Sequence, residues 1–223
     1  MSKLVWTAFL CMTAMAWPAA GSADASSRWT TRFGYAQVKF DTRSELTLAG
    51  APAPGATVTV DDQGIFMGDV GFDLTDHWTA RMAIGAPVTL PVLAGGTLQG
   101  LSPPLTGTLG EIEIAPLVVS MLYVPRRFGG FEPYLGAGAA YTYILDTQSR
   151  DIVGLEASSG WGAVLQAGCN VAITPQLWAF VDARKVYFET TASGVVPALG
   201  GLPVAAAVTL DPLIVNAGIG YRF

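Results

Sequence analysis

Beyond residue 25 the sequence never strings together the roughly 20 apolar residues that a membrane-crossing helix requires, although 51% of its 223 residues are hydrophobic and only 13% are charged. A chain this apolar is out of place as an ordinary water-soluble domain. In lipid every backbone N–H and C=O must be paired inside the protein, and the closed β-barrel is the alternative to helices. The expected fold is therefore all-β, a transmembrane β-barrel.

One apolar run does occur, at the N-terminus, where Lys3 precedes Leu4 to Trp17 and "AAGSADA" follows. A short basic start, an apolar stretch of roughly 7–15 residues and a small-residue cleavage site form an export signal rather than a retained anchor. Residues 1–23 are the predicted signal peptide, with Ala25 as the alternative cleavage point, and 24–223 the barrel. Cys11 leaves with the signal, and Leu10 before it is too large for a lipoprotein site. Cys169 is then unpaired and reads as a small hydrophobe on an apolar strand face. Loss of Lys3 takes 12 basic residues to 11 against 17 acids, a balance that argues against nucleic acid.

Period-two alternation over about ten residues marks each barrel strand. The first is read at 28–40, with Trp29, Thr31, Phe33 and Tyr35 opposite Arg32, Gly34 and Ala36. The second, 63–74, sets Phe66, Gly68, Val70, Phe72 and Leu74 against Ile65, Met67, Asp69 and Asp73. The third, 78–87, sets Trp78, Ala80, Met82, Ile84 and Ala86 against Thr79, Arg81 and Gly85. In 111–124, "IEIAPLVVSMLYV" is apolar on both faces once past Glu113, and its facing stays open. Strands follow at 133–145, 161–173, with Val164, Gln166 and Asn170 on the polar side, and 177–189. The last is the closing "LDPLIVNAGIGYRF".

Three connections are short (75–77, 125–132, 174–176) and four are long (near 41–62, 88–110, 146–160, 190–209), in strict alternation. That is the plan of an eight-stranded antiparallel barrel with both termini periplasmic, short turns there and long loops outside. A soluble barrel of lipocalin type would carry charges on its outer face. Here Arg32, Asp69, Asp73, Arg81, Asp182, Arg184 and Arg222 share the inward register, while Trp29, Trp78, Tyr123, Trp161, Tyr221 and Phe223 fall near strand ends as an interfacial girdle.

The alternating C-terminal strand, closed by Tyr221 and Phe223, resembles the recognition signal of the barrel-assembly machinery. Inward positions of the outer half are apolar: Val38, Phe40, Ile65, Met67, Ile144, Val164 and Ile214. Those of the periplasmic half include Arg32, Asp73, Arg81, Asn170 and Arg222, with Trp178 and Phe180 narrowing the path near this polar floor. Such a lumen suits small hydrophobic molecules, unless these side chains simply fill a small barrel. The long connections, such as "APAPGATVTV" and "SGVVPALGGLPVAAAVTL", are apolar too. Either they guide a greasy solute past the saccharide layer, or they continue the strands beyond the membrane.

No enzyme, metal or cofactor is expected. The sole histidine, His77, lies in the turn "TDH", where turn chemistry explains it, and "LGAGAAY" is strand rather than a nucleotide loop because no helix follows it.

Several segments resemble the OmpW family of small outer-membrane proteins: "VGFDLTDHWTARMAIGAP", "PPLTGTLGEIEIAPLVVSMLYV", "FEPYLGAGAAYTYI", "WGAVLQAGCNVAITPQLWAFVDARKVYFETTA" and "LDPLIVNAGIGYRF". The resemblance implies an eight-stranded barrel in the Gram-negative outer membrane, among lipid and lipopolysaccharide, with a narrow hydrophobic lumen associated with passage of small hydrophobic molecules. The first and last long connections, rich in Ala, Pro, Gly and Val, depart from the family pattern. The rival expectation is a sealed structural, adhesive or stress-related barrel whose loops meet partners.

Overall fold

Alternation of large apolar and small or polar residues produces strands that pair in chain order and close on themselves. The computed structural model describes residues 28–100 and 107–223; the export segment lies outside them. Its strands are β1 Trp29–Lys39, β2 Arg43–Leu48, β3 Ala51–Pro52, β4 Ala56–Val60, β5 Gln63–Asp73, β6 Trp78–Gly85 and β7 Val88–Gly96, followed by β8 Thr108–Tyr123, β9 Phe131–Ser149, β10 Val153–Ala157, β11 Gly160–Ala172, β12 Leu177–Val196, β13 Leu202–Thr209 and β14 Leu213–Arg222. Short 3-10 turns cover Thr97–Gly100 and Pro197–Leu199.

The barrel proper is the antiparallel ring β1–β5–β6–β8–β9–β11–β12–β14, closed by pairing of β14 with β1 and of β11 with β12. Closure gives every strand of the ring a neighbour on both sides, as a strand protein in lipid requires. Period two then divides every strand. On β1 the buried residues are Thr30, Arg32, Gly34, Ala36 and Val38, and the side chains between them face out. Phe33, Tyr35, Phe66, Leu135, Trp161, Leu165, Val181 and Ile219 are among the large apolar residues exposed on the outer wall. A surface of that kind is stable against lipid and not against water.

The sequence left the facing of 111–124 open, and the structure resolves it. Val118, Ser120 and Leu122 point inward, Val119, Met121 and Tyr123 outward. A bulge between Glu113 and Ile114 shifts the pairing with β9, which is one reason the phase is hard to read from residue types.

The four long connections are largely strand, not loop. The 41–62 segment holds β2, β3 and β4; 88–110 holds β7 and the start of β8; β9 runs on to Ser149 and β10 follows; β12 runs on to Val196 and β13 returns. Pro and Gly in "APAPGATVTV" hide the alternation that comes after them, in which Ala56 and Val58 are buried and Thr57 and Thr59 exposed. These strands carry the wall beyond the end that lacks the termini, here termed the far end. Their inner side chains, among them Leu46, Val58, Leu98, Leu109, Leu155 and Val204, form one apolar cluster. A second cluster below it contains Val38, Ile65, Met67, Val164, Val186 and Ile214.

Candidate functional site

Eight strands leave a lumen only about as wide as the side chains that fill it, so whatever the barrel does depends on which side chains meet inside. Toward the end holding both termini, the near end, they are charged. Arg32 on β1 holds Asp69 on β5 with three hydrogen bonds of 2.8 to 3.0 Å. Arg81 of β6 and Arg184 of β12 approach the same carboxylate at 3.5 Å, and Arg184 also pairs with Asp182 at 2.6 Å. Tyr134 of β9 links the two acids: its hydroxyl accepts from Arg32 at 2.9 Å and donates to Asp182 at 2.7 Å. Gln166 also donates to Asp182 and accepts from Ser120. The side chains of Arg32, Asp69, Arg81, Asp182 and Arg184 are at most 4% exposed.

This layer bridges the lumen from wall to wall. Arg32 lies 4.2 Å from the ring centre of Phe180, which completes the layer on one side. Gly168 makes room for Tyr134, since a Cβ there would stand 2.5 Å from the phenolic oxygen. Nearer the termini a second, wetter layer follows: Arg127 and Arg222 pair with Asp73 and Glu132, and Arg222 stacks on Trp178.

Above the dry layer the chemistry reverses. A cavity of about 120 Å³ is lined almost wholly by aliphatic and aromatic carbon, from Ile65, Val118, Val186 and Ile214 at its base, past Val38, Phe40, Val88 and Phe188, to Leu48, Leu98 and Val196 at the far end. The wall at its base is imperfect. Pairing of β6 with β8 ends at Ile84 and Leu117, and pairing of β7 with β8 begins at Val88 and Ile114. Between them Gly85, Ala86 and Pro87 face only Ala115 and Pro116, with no paired positions. Both prolines lack the N–H that a ladder needs, and Ala86 gives its N–H to Phe66 on the other side. On the far side of β8 from this seam stand Tyr141 and Tyr143 of β9, opposite Leu117 and Ala115, and Trp161 of β11, with Tyr141 in edge contact with the other two.

The model of the OmpW family matches residues 30–223. The chain belongs to the OmpW family. Among its relatives is the dibenzothiophene metabolism operon protein PahQ of Pseudomonas aeruginosa, 33% identical over 88% of this chain and 89% of that one. The crystal structure of the outer membrane protein OprG from Pseudomonas aeruginosa superposes with a TM-score of 0.81 at 25% identity, covering 88% of this chain and 96% of that one. The solid-state NMR structure of AlkL in lipid bilayers, an outer-membrane protein whose sequence relative comes from Ectopseudomonas oleovorans, superposes at 0.70 over 93% and 95% of the two chains, with 20% identity. The protein is thus an eight-stranded outer-membrane barrel, and its relatives are outer-membrane barrel proteins.

Within this OmpW-family barrel the residues singled out from the sequence separate into three groups. Val38, Phe40, Ile65, Ile144 and Ile214 line the apolar cavity. Met67 and Val164 are buried in the cluster beside its base and do not line it, and Trp178 and Phe180 stack on arginines in the charged layers. The expected polar floor is two layers rather than one: Asp73 and Arg222 belong to the wet one, Arg32, Asp69, Arg81, Asp182 and Arg184 to the dry one, and Asn170 accepts from Arg32 at 3.3 Å. Tyr221 faces outward against Phe223, whose N–H bonds Trp29. His77 is held by the carbonyl of Val124 beside its turn.

Sequence reasoning missed Tyr134, Glu132 and Asn216, all buried. Parity could have found them. Each is one residue away from an outward Leu135, Phe131 or Val215, and so must face the lumen.

Proposed function

We propose that the protein takes small apolar molecules from outside the cell into the cavity at its far end and releases them sideways into the membrane, with the near end and both termini on the periplasmic side. The observation that carries this reading is an apolar cavity standing on a dry, ion-paired layer. An apolar solute entering the cavity gives up no hydrogen bonds, whereas a sugar leaves each unpaired group at a cost of roughly 2–7 kcal/mol. The layer beneath is closed to an apolar solute for the converse reason, since insertion would separate paired charges in a dry interior. The route of lowest cost then runs through the unladdered seam at Gly85–Pro87 and Ala115–Pro116, which opens beside the aromatic side chains Tyr141 and Tyr143.

Size supports a ring-sized solute. An engineered apolar cavity of roughly 150 Å³ takes benzene, and this one is about 120 Å³. A relative named for a dibenzothiophene metabolism operon makes aromatic compounds the first class to try, beginning with single rings. In liposomes, wild type should speed entry of benzene or toluene far more than entry of arabinose. Ile65→Asp, at the base of the cavity, should weaken the apolar flux and leave assembly largely intact, because lumen faces tolerate polarity better than lipid faces. Toluene entry no faster than into protein-free liposomes would replace this reading with that of a sealed structural barrel, and arabinose entering as fast as toluene would refute the apolar selectivity.

A further inference from the structure

The two charged layers do not balance. Among the described residues the wet layer sets Arg127 and Arg222 against Asp73 and Glu132, whereas the dry layer sets Arg32, Arg81 and Arg184 against only Asp69 and Asp182. A guanidinium does not shed its proton to relieve the excess. The surplus charge falls on Arg81. Arg32 holds Asp69 through both oxygens and Arg184 sits against Asp182, while Arg81 reaches Asp69 only at 3.5 Å. Its Nε and Nη1 are buried and make no hydrogen bond, and the same is true of Nε of Arg222. Gly71 lets the Arg81 guanidinium lie against the wall, for a Cβ there would come within 3.2 Å of Nε.

Arg81 and Arg222 line one small cavity between the layers, together with Thr30, Tyr134 and Asn170. Its volume is about 10 Å³, about that of a single water-sized probe, so a halide enters by outward displacement of the partly exposed Arg222 side chain. Asp73 and Glu132 also border it, but they are engaged, Glu132 by Arg127 at 3.0 Å and by Arg222, and Asp73 by the hydroxyl of Thr79 at 2.6 Å. We propose that this cavity binds one small monovalent inorganic anion of the halide class, chloride in the living cell, held by Arg81 and Arg222. The charge count calls for one negative charge, Nη1 of Arg81 and Nε of Arg222 supply its donors, and the volume excludes sulfate and phosphate. A water molecule would satisfy donors but leave the charge uncompensated. The bound anion ties Arg81 to Arg222 and so joins the dry layer to the wet one, making the floor a single neutral unit.

The proposal is tested on the intact barrel with bromide as the probe. Crystals grown in sodium bromide should show an anomalous peak between the Arg81 and Arg222 guanidiniums, and ordered density there without anomalous signal would overturn the assignment. In detergent at matched ionic strength, thermal unfolding should occur at higher temperature in chloride or bromide than in sulfate, and Arg81→Gln should lose that shift. A bromide peak without halide-dependent stability would mean an adventitious ion only. An Arg81→Gln barrel that keeps the full shift would place the effect elsewhere; if that variant fails to assemble, the bromide map decides alone.

Discussion

Replacing Asp69 is the sharpest probe of the dry layer, because three guanidiniums converge on this one carboxylate and its side chain is 2% exposed. In Asp69→Ala the cations Arg32, Arg81 and Arg184 are left with Asp182 alone. Breaking a buried pair by removing one partner costs about 3–5 kcal/mol, most of it the desolvation of the orphaned charge. The convergence of three cations puts this variant at the upper end of that range. Asp73→Ala is the internal control. Its partners Arg127 and Arg222 have side chains 41% and 23% exposed, so solvent takes over much of the lost ion pairing, and with the lost bond from Thr79 the cost should be about 1–2 kcal/mol. Urea titration in lipid vesicles, followed by tryptophan fluorescence and by the mobility of unheated protein in gels, gives both values on one scale. Equal losses for the two variants would refute the division into a dry and a wet layer.

Three further outcomes are expected. Arginine at Met82, which is 40% exposed on the outer wall, or at the outward Val70 should cost about 2–4 kcal/mol if these positions lie near the bilayer midplane; spin labels there reporting water instead of lipid would invert the facing. Deleting Phe223 should reduce the folded, heat-modifiable protein recovered from the outer membrane without altering the transport of the molecules that do assemble, and normal recovery would rule out a part for this residue in assembly. Gly85→Ala places a Cβ 2.7 Å from Cγ of Pro116 and should cost about 1–3 kcal/mol as overpacking, with apolar flux changed and arabinose still excluded; an unaltered apolar flux would count against the seam as the exit.

What could be read from the residues followed the contrast between lipid and lumen. Where outward apolar side chains alternate with inward charges, as from Phe66 to Asp73 or from Leu177 to Arg184, residue type alone gives the facing. The contrast vanishes along Ile114–Val119, where the outer face meets lipid and the inner face meets the apolar cavity, so both sides carry the same kind of residue. The far-end strands were hidden for another reason. Gly50, Pro54 and Gly55 sit in real turns, and the short strands between such turns look like loop. Tyr134 escaped notice because its neighbours Gly136 and Gly138 drew that face as a small-residue surface. Its role comes from Asp182, 48 residues along the chain, a distance no local pattern spans.

The empty place at Gly168 has a consequence for how such a barrel can change. A methyl group there meets the Tyr134 hydroxyl and the Val181 carbonyl, each 2.5 Å away, so even alanine must push the phenol aside and with it the bond to Asp182. A single codon change at this position is therefore expected to loosen the dry layer. Single-channel recordings of Gly168→Ala should show openings absent from wild type, and a population of bacteria starved of a polar nutrient would have this position among its nearest ways to admit it.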